Sequence, residues 1–307
     1  MHERHWHILG AGAIGSLFAC LFQDAGIRCS LLLREGHAAP HNGTRQIRLH
    51  EGEHSRAHIV EAGPAAGPEP IHYLLVCTKA YDLLAALTSV QPRLAKGAVV
   101  LLLANGLGYQ QRISEQWPQL TVFSGSTTEG AFREGGDRVR RAGRGTTWLG
   151  SRCLMRPPAW FSDWQALDAD CRWAANIDTI LWRKFAINCA INPLTALHRC
   201  RNGLLADDST LTDQVQNLCL EIAAVGEAAG QHEAVSNLYP SVMEVVAATA
   251  HNRSSMLQDV LAGRRTEIDY LTAFLVATAD RLGLAVPHNS AVLAALRTAS
   301  TAMPQPD

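Results

Sequence analysis

The stretch WHILGAGAIGSLFACLF, residues 6–22, decides the fold. Trp6–Leu9 is a short apolar run of the kind that forms a buried strand. Gly10-Ala11-Gly12-Ala13-Ile14-Gly15 follows at once and reads GxGxxG. Ile14, Leu17, Phe18, Leu21 and Phe22 then recur at i, i+3, i+4, i+7 and i+8, the spacing of a helix with one buried face. Gly26 ends that helix. The glycine pattern is a weak signal alone and gains meaning from standing between a strand and a helix. Gly10 permits the tight turn, Gly12 lets a bound group approach the backbone, and Gly15 lets the helix pack on the strand. The helix N-terminus offers N–H groups and a partial positive charge to phosphates. Gly10, Ala11, Gly12, Ala13, Ile14 and Gly15 are therefore candidate dinucleotide-binding residues. The plain alternative is a glycine-rich turn with no ligand.

Outward from this motif, strands and helices alternate. Cys29–Leu33 reads as a second strand. Ile71–Thr78 and Ala98–Ala104 are continuous apolar runs, as expected of parallel strands covered on both faces. Thr121–Ser124 adds another. The βαβ alternation predicts a doubly wound α/β domain of the Rossmann type. Arg45–Ala62 reads as polar and irregular, Gly63–Pro70 as a loop, and Asp137–Leu149 as a hairpin. The texture changes after Arg156-Pro-Pro158, which begins a poorly patterned connection. From about Thr179 the chain reads as almost wholly helical: 180–197, 212–229, 240–262, 266–282 and 289–299. The expected organisation is a dinucleotide-binding domain over residues 1–175 and an all-α substrate and catalytic domain over 176–307.

Composition narrows the function classes. With 47% apolar and 18% charged residues, 307 residues suffice for two packed cores. The formal net charge of −1 lacks the basic excess of a nucleic-acid binder. The one basic run, Arg138 to Arg144, reads as the wet face of the hairpin. The eight cysteines form no CxxC pair and most lie in apolar runs, where a thiol behaves as a small hydrophobe. With no signal peptide in view, a cytoplasmic protein is expected. The apolar run 98–104 is far short of the ~20 residues that span a bilayer, so no membrane partner is expected. His50, His54 and His58 are spaced four apart, but Gly52 interrupts them and no helical stripe supports them, so no metal is expected.

The end of the second strand bears on which dinucleotide binds. An acidic residue there would hold the ribose 2′-hydroxyl of NAD. This chain has Leu33-Arg34, and a guanidinium can pair with a 2′-phosphate. Glu35, next in sequence, weakens that case, and a solvated loop arginine is the alternative. Lys79 and Asn105 follow the third and fourth strand runs, at the sheet edge where ligands of open α/β sheets bind. Lys79 could help hold the 2′-phosphate and Asn105 could reach the nicotinamide. A chance surface lysine and a turn asparagine stay open for them.

In the helical half, Lys184, Asn188 and Asn192 are spaced i, i+4, i+8 and form one polar stripe on an otherwise apolar helix. A lysine on so apolar a helix needs a partner or a task, and its pKa shifts readily. Asn252 and Ser255 share a face at i, i+3 of the expected helix 240–262. Glu267 opens the next helix, where a carboxylate that stabilises a helix N-terminus is equally common.

Together the GAGAIG turn, Arg34, TKA at 78–80, NG at 105–106, LWRKFAINCAINPLTAL at 181–197, NRSSMLQD at 252–259 and TEIDYL at 266–271 resemble the ketopantoate reductase family nearly end to end. The resemblance implies NADPH-dependent reduction of 2-dehydropantoate to (R)-pantoate, a step towards coenzyme A, with the active site between the two domains. It implies Lys184 as general acid and Glu267 as the carboxylate that binds the substrate hydroxyl. It further implies Asn105, Asn188, Asn192 and Ser255 as substrate contacts. Asn202 and Asn252 fall near the substrate or in its support, and Arg34 and Lys79 at the 2′-phosphate. The expected partner is a small 2-oxo acid, and self-association into a homo-oligomer is left open. Reduction of another branched 2-oxo acid would need almost the same motifs. A non-catalytic NADPH sensor would have no need of Lys184 and Glu267.

Overall fold

The computed structural model describes residues 4–34 and 43–301; Glu35 lies outside them. The chain divides into two units. One contains the described residues up to Ala104 together with Tyr109–Ile177, the other Asn105–Gly108 together with the chain from Asp178 onward.

The first unit is built on one sheet of eleven strands. In chain order these are β1 (Trp6–Leu9), β2 (Cys29–Leu33), β3 (Thr44–Glu51), β4 (His54–Pro64), β5 (Ile71–Val76), β6 (Leu94–Leu102), β7 (Thr121–Thr127), β8 (Gly130–Gly135), β9 (Arg138–Gly143), β10 (Thr146–Gly150) and β11 (Asp170–Ala174). The sheet order is β11-β10-β7-β6-β5-β1-β2-β4-β3-β9-β8. From β7 through to β4 every neighbouring pair is parallel. Ile8, Leu31, Leu74, Leu75 and Leu101 are wholly buried there, as befits strands covered on both faces. Helices α1 (Ala13–Asp24), α2 (Leu83–Val90), α3 (Tyr109–Gln116) and α4 (Phe161–Gln165) belong to this unit. The apolar face of α1 buries Leu17, Phe18, Leu21 and Phe22. Trp6, Phe22 and Trp164 pack as an aromatic cluster. Asp163 accepts from the Trp6 indole at 2.9 Å and from Arg4 at 2.8 Å, so this apolar floor carries one satisfied carboxylate.

Several expectations need correction. Arg45–Ala62 is no irregular segment but the antiparallel hairpin β3–β4. Ile47, Leu49, Val60 and Ala62 face inward, but the buried His58 shares their face and the exposed Ile59 lies on the other, which obscured the period-2 pattern. His50, His54 and His58 accordingly lie on a hairpin, where a spacing of four does not align ligands as on a helix. The second hairpin is β8–β9, turning at Gly135 and Gly136 with φ of +108° and +54°. β10 leaves it and pairs with β7 and β11. The basic run is not uniformly wet: Arg141 is buried and holds Glu129 through two hydrogen bonds of 2.8 and 2.6 Å. The connection after Pro158 contains α4 and β11.

The second unit is helical: α5 (Ile177–Leu197), α6 (Leu204–Asp207), α7 (Ser209–Ala228), α8 (His232–Val235), α9 (Leu238–Ala248), α10 (Ser255–Leu261), α11 (Thr272–Arg281) and α12 (Pro287–Thr301). α5 starts at the last residue of the first unit. The core of this unit gathers Phe185, Leu194, Val215, Ile222, Val242 and Leu275. Glu221 of α7 caps α12 by accepting from the backbone N–H groups of His288 and Asn289, at 2.8 and 2.9 Å. Two long helices expected from sequence are each broken. The 240–262 segment ends α9 at Ala248 and restarts at Ser255. The 266–282 segment is a 3₁₀ turn, Ile268–Tyr270, followed by α11.

Candidate active site

The glycine turn has the geometry that each glycine requires. Gly10 sits at φ +108°, and a Cβ there would lie 2.8 Å from the Cys77 carbonyl carbon. A Cβ on Gly15 would lie 2.1 Å from the Gly10 carbonyl oxygen. Around Gly12 nothing among the described residues would come within 4 Å, so the space over the turn is open. Gly12 is also the N-cap of α1, has no side chain to cap it, and no acidic residue stands in the first turn. The first N–H groups of a helix have no intrahelical partner. Those of α1 therefore present an electropositive cradle that suits a pyrophosphate.

Arg34 follows β2 and forms an ion pair with Asp82, Nη2 to Oδ2 at 2.9 Å. Asp82 closes the 3₁₀ turn Ala80–Asp82, and its N–H donates to the carbonyl of Lys79, the residue before that turn. The structure thus brings Arg34 to the turn that carries the half-buried Lys79. Sequence reasoning missed Asp82, since only the fold shows which carboxylate meets Arg34.

The remaining candidates belong to the helical unit. Lys184 and Asn188 are half-buried along α5, and Asn192 is buried. The flanking Phe185, Cys189 and Ala190 are fully packed, so the polar stripe is an interruption in a buried surface. Pro193 lies inside the helix, leaving the Cys189 carbonyl without its i+4 amide donor. Asn105 is the first residue of a four-residue strap that belongs to this unit. Its Nδ2 donates to Glu267 Oε2 at 3.2 Å. Leu107 N–H donates to the Tyr270 carbonyl at 3.1 Å. Gly106, at φ +83°, approaches so closely that a Cβ would lie 2.4 Å from that carbonyl oxygen. Gly108 faces the Phe274 ring, which packs edge-on against Phe185 of α5 at 5.6 Å. Strap, 3₁₀ turn and α5 are therefore contiguous.

Glu267 is 4% exposed and precedes the 3₁₀ turn rather than opening a long helix. In that turn, burial acts to raise the Asp269 carboxyl pKa, but hydrogen bonds from Arg297 and Arg265 outweigh it and hold the group below the usual carboxylate range. These two arginines fix the turn beside Glu267.

Asn252 and Ser255 do not share a helix face. Asn252 lies in the connection before α10, and Ser255 is the exposed first residue of that helix. Asn202 is buried, donates from Nδ2 to Thr249 Oγ1 at 2.8 Å, and its N–H donates to the Asn252 carbonyl at 3.1 Å. Its Oδ1 is buried without a partner among the described residues. Sequence reasoning also missed Ser254 and Thr195. Ser254 caps α10 by accepting from Leu257 N–H at 3.1 Å, and its hydroxyl lies 2.7 Å from that of Thr195 on α5. A serine just before an apolar run is a recognisable N-cap signal.

Two family models match the chain: "Ketopantoate reductase PanE/ApbA" over residues 6–152, and "Ketopantoate reductase PanE/ApbA C terminal" over residues 176–300. The chain belongs to the ketopantoate reductase family. It is thus an oxidoreductase. A relative from Vibrio cholerae, named 2-dehydropantoate 2-reductase, is 34% identical over 297 residues, covering 95% of this chain and 96% of its own. A 2-dehydropantoate 2-reductase from Yersinia pestis is 34% identical over 288 residues, covering 92% of this chain and 91% of its own. Among solved structures, a family ketopantoate reductase from Ralstonia eutropha matches with a TM-score of 0.84 at 25% identity, covering 97% of this chain and 99% of that one. Among the described residues no helix is long and apolar enough to cross a membrane.

Proposed function

We propose that this chain reduces 2-dehydropantoate to (R)-pantoate with NADPH. The observation that carries the reading is the Lys184–Asn188–Asn192 stripe on a buried helix, in the half of the chain that matches the family's C-terminal model. In this reading the Rossmann part, residues 1–175, holds the dinucleotide and the helical part, 176–307, holds the substrate.

The open cradle over Gly12 and the uncapped N-terminus of α1 suit the pyrophosphate. Arg34 and Lys79 suit the 2′-phosphate that distinguishes NADPH from NADH. Bound there, the reduced nicotinamide supplies the hydride that the C2 ketone accepts.

The chain's own residues handle the rest. As the carbonyl oxygen gains charge it must be stabilised and protonated. Lys184 polarises the carbonyl and then donates its Nζ proton to the nascent alkoxide. A positioned acid of this kind contributes ~10²–10⁴ in rate. Glu267 accepts from the substrate hydroxyl, and Asn105 holds the Glu267 carboxylate in place. Ser255, Asn188 and Asn192 bind the substrate with neutral donors, which hold a carboxylate without competing for the Lys184 proton. Asn252, in the connection before α10, and Asn202, which precedes α6 and donates its N–H to the Asn252 carbonyl, support that surface.

The deciding experiment follows NADPH oxidation with 2-dehydropantoate beside a panel of other branched 2-oxo acids. Preferred turnover of 2-dehydropantoate is expected. Fast turnover of another member and none of 2-dehydropantoate would reassign the substrate.

A further inference from the structure

The cradle over the glycine turn is flanked by a side chain from outside the parallel core. Arg133 lies on β8, and its Nη1 reaches the carbonyl oxygen of Ala11 at 3.5 Å. Ala11 lies between the two glycines that shape the turn. The second guanidinium contact of Arg133 is also a main-chain carbonyl, that of Gly136. No carboxylate lies within ion-pair distance of Arg133 among the described residues. The nearby Asp137 is taken by Arg45, Nε to Oδ1 at 3.2 Å, and Glu134 by Arg140. Loss of hydration around part of its guanidinium, with Arg45 nearby, lowers the Arg133 pKa from its usual value and outweighs the opposing pull of Asp137. A guanidinium stays charged regardless. The result is a positive charge with no ion-pair partner of its own among the described residues, at the rim of a cradle already electropositive from its helix N-terminus.

We propose that Arg133 is a further cofactor-binding residue that pairs with the pyrophosphate of the dinucleotide. This inference rests on the proposed dinucleotide site and adds to it a contact from the β8–β9 hairpin. A guanidinium matches two phosphate oxygens by parallel N–H donors, and such charge-assisted bonds are the stronger class. Its weak reach to a carbonyl is easily given up for an anion beside it. Because the pyrophosphate is common to both nicotinamide dinucleotides, Arg133 strengthens binding of either and does not select between them. That separates its role from the one proposed for Arg34.

The test is calorimetric titration of the full chain with NADPH and with NADH, in the absence of substrate. Arg133→Ala is expected to raise both dissociation constants by the same factor, roughly ten- to hundredfold. Arg133→Lys should recover part of the loss, and the dependence of binding on salt should become shallower in Arg133→Ala. Arg133 is exposed, so the variants should melt with the parent protein. Unchanged binding of both dinucleotides in Arg133→Ala overturns the proposal. Loss confined to NADPH overturns it too, by moving Arg133 to the 2′-phosphate. If the unmutated chain binds neither dinucleotide, the site itself fails and the proposal with it, a result distinct from either variant outcome.

Discussion

Asn105 and Glu267 stand 162 residues apart in sequence and share a 3.2 Å hydrogen bond, Asn105 donating to the buried carboxylate. The bond is possible because the strap Asn105–Gly108 lies against the 3₁₀ turn that follows Glu267. Removing the donor leaves a buried charged oxygen short of a partner, which costs about 1–3 kcal/mol. Asn105→Ala should therefore lower kcat/KM for 2-dehydropantoate by roughly ten- to hundredfold. Glu267→Gln keeps the shape and loses the charge, and should lower kcat more than Asn105→Ala does. Steady-state kinetics on both variants checks this, and near-normal kcat/KM in both would remove the pair from the site.

Lys184 is proposed to supply the proton to the reduced ketone. Lys184→Ala should lower kcat by ~10²–10⁴ while leaving NADPH affinity within about twofold, since uninvolved sites are nearly independent. Added primary amines should restore part of the rate by filling the truncated space. A variant that turns over at close to the parent rate would end the general-acid assignment.

Arg34 is paired with Asp82, but its side chain is 64% exposed, and exposed ion pairs contribute about 0–1 kcal/mol. The guanidinium is thus readily given over to a phosphate. Arg34→Ala should weaken NADPH at least tenfold and NADH hardly at all. Equal loss for both dinucleotides, measured by fluorescence titration, would place Arg34 away from the 2′-phosphate.

His7 gives the fold an acid-sensitive point that takes no part in this chemistry as proposed. It is 4% exposed on β1, and burial, helped by nearby His5 and Arg93, pushes its pKa from 6.5 down to about 4. The unfolded chain therefore takes up the proton first, and stability falls as pH drops from 6.5 towards 4. At 1.36 kcal/mol per unit the full loss is about 3 kcal/mol. His7→Phe should flatten the acid side of a Tm–pH profile over that window. Parallel profiles for variant and parent would show that His7 is not the group responsible.

What the sequence revealed depended on whether a feature is local. The glycine turn, α1 and the parallel strands were readable because their signals lie within a few residues: period 3.6 beside unbroken apolar runs. The β3–β4 hairpin was hidden because Arg45, Arg48, His50 and Arg56 crowd the segment in which only Ile47, Leu49, Val60 and Ala62 mark the inner face. The break between α9 and α10 was hidden by Ala247, Ala248 and Ala250, which read as helix, whereas the hydrogen bonds from Asn202 and Gly203 to that segment are tertiary. For the same reason the candidate residues could be named singly, but not the partners that hold them. Asp82 beside Arg34, Arg133 at the glycine turn and Thr195 beneath Ser254 depend on strand register and helix packing.

Thr195 and Ser254 test whether that hidden layer shapes the site. Thr195 is wholly buried, and its hydroxyl lies 2.7 Å from that of Ser254 and near the carbonyls of Ile191 and Asn192, at 3.1 and 3.0 Å. Ser254 also accepts from Leu257 N–H, so one oxygen both caps α10 and ties it to α5. Ser255 is the next residue, and its position follows from that tie. Ser254→Ala should cost about 1 kcal/mol for the lost cap, and Thr195→Val about 1–3 kcal/mol. Because the two share one bond, the double variant should lose less than the sum, with a coupling of about 0.5–3 kcal/mol. The kinetic consequence should fall on substrate binding: KM for the 2-oxo acid rises in both single variants while kcat changes little, since Lys184 lies about three turns earlier on α5 than Thr195. Additive losses of stability, or a fall in kcat with KM unchanged, would mean that the Thr195–Ser254 contact supports the fold without positioning Ser255.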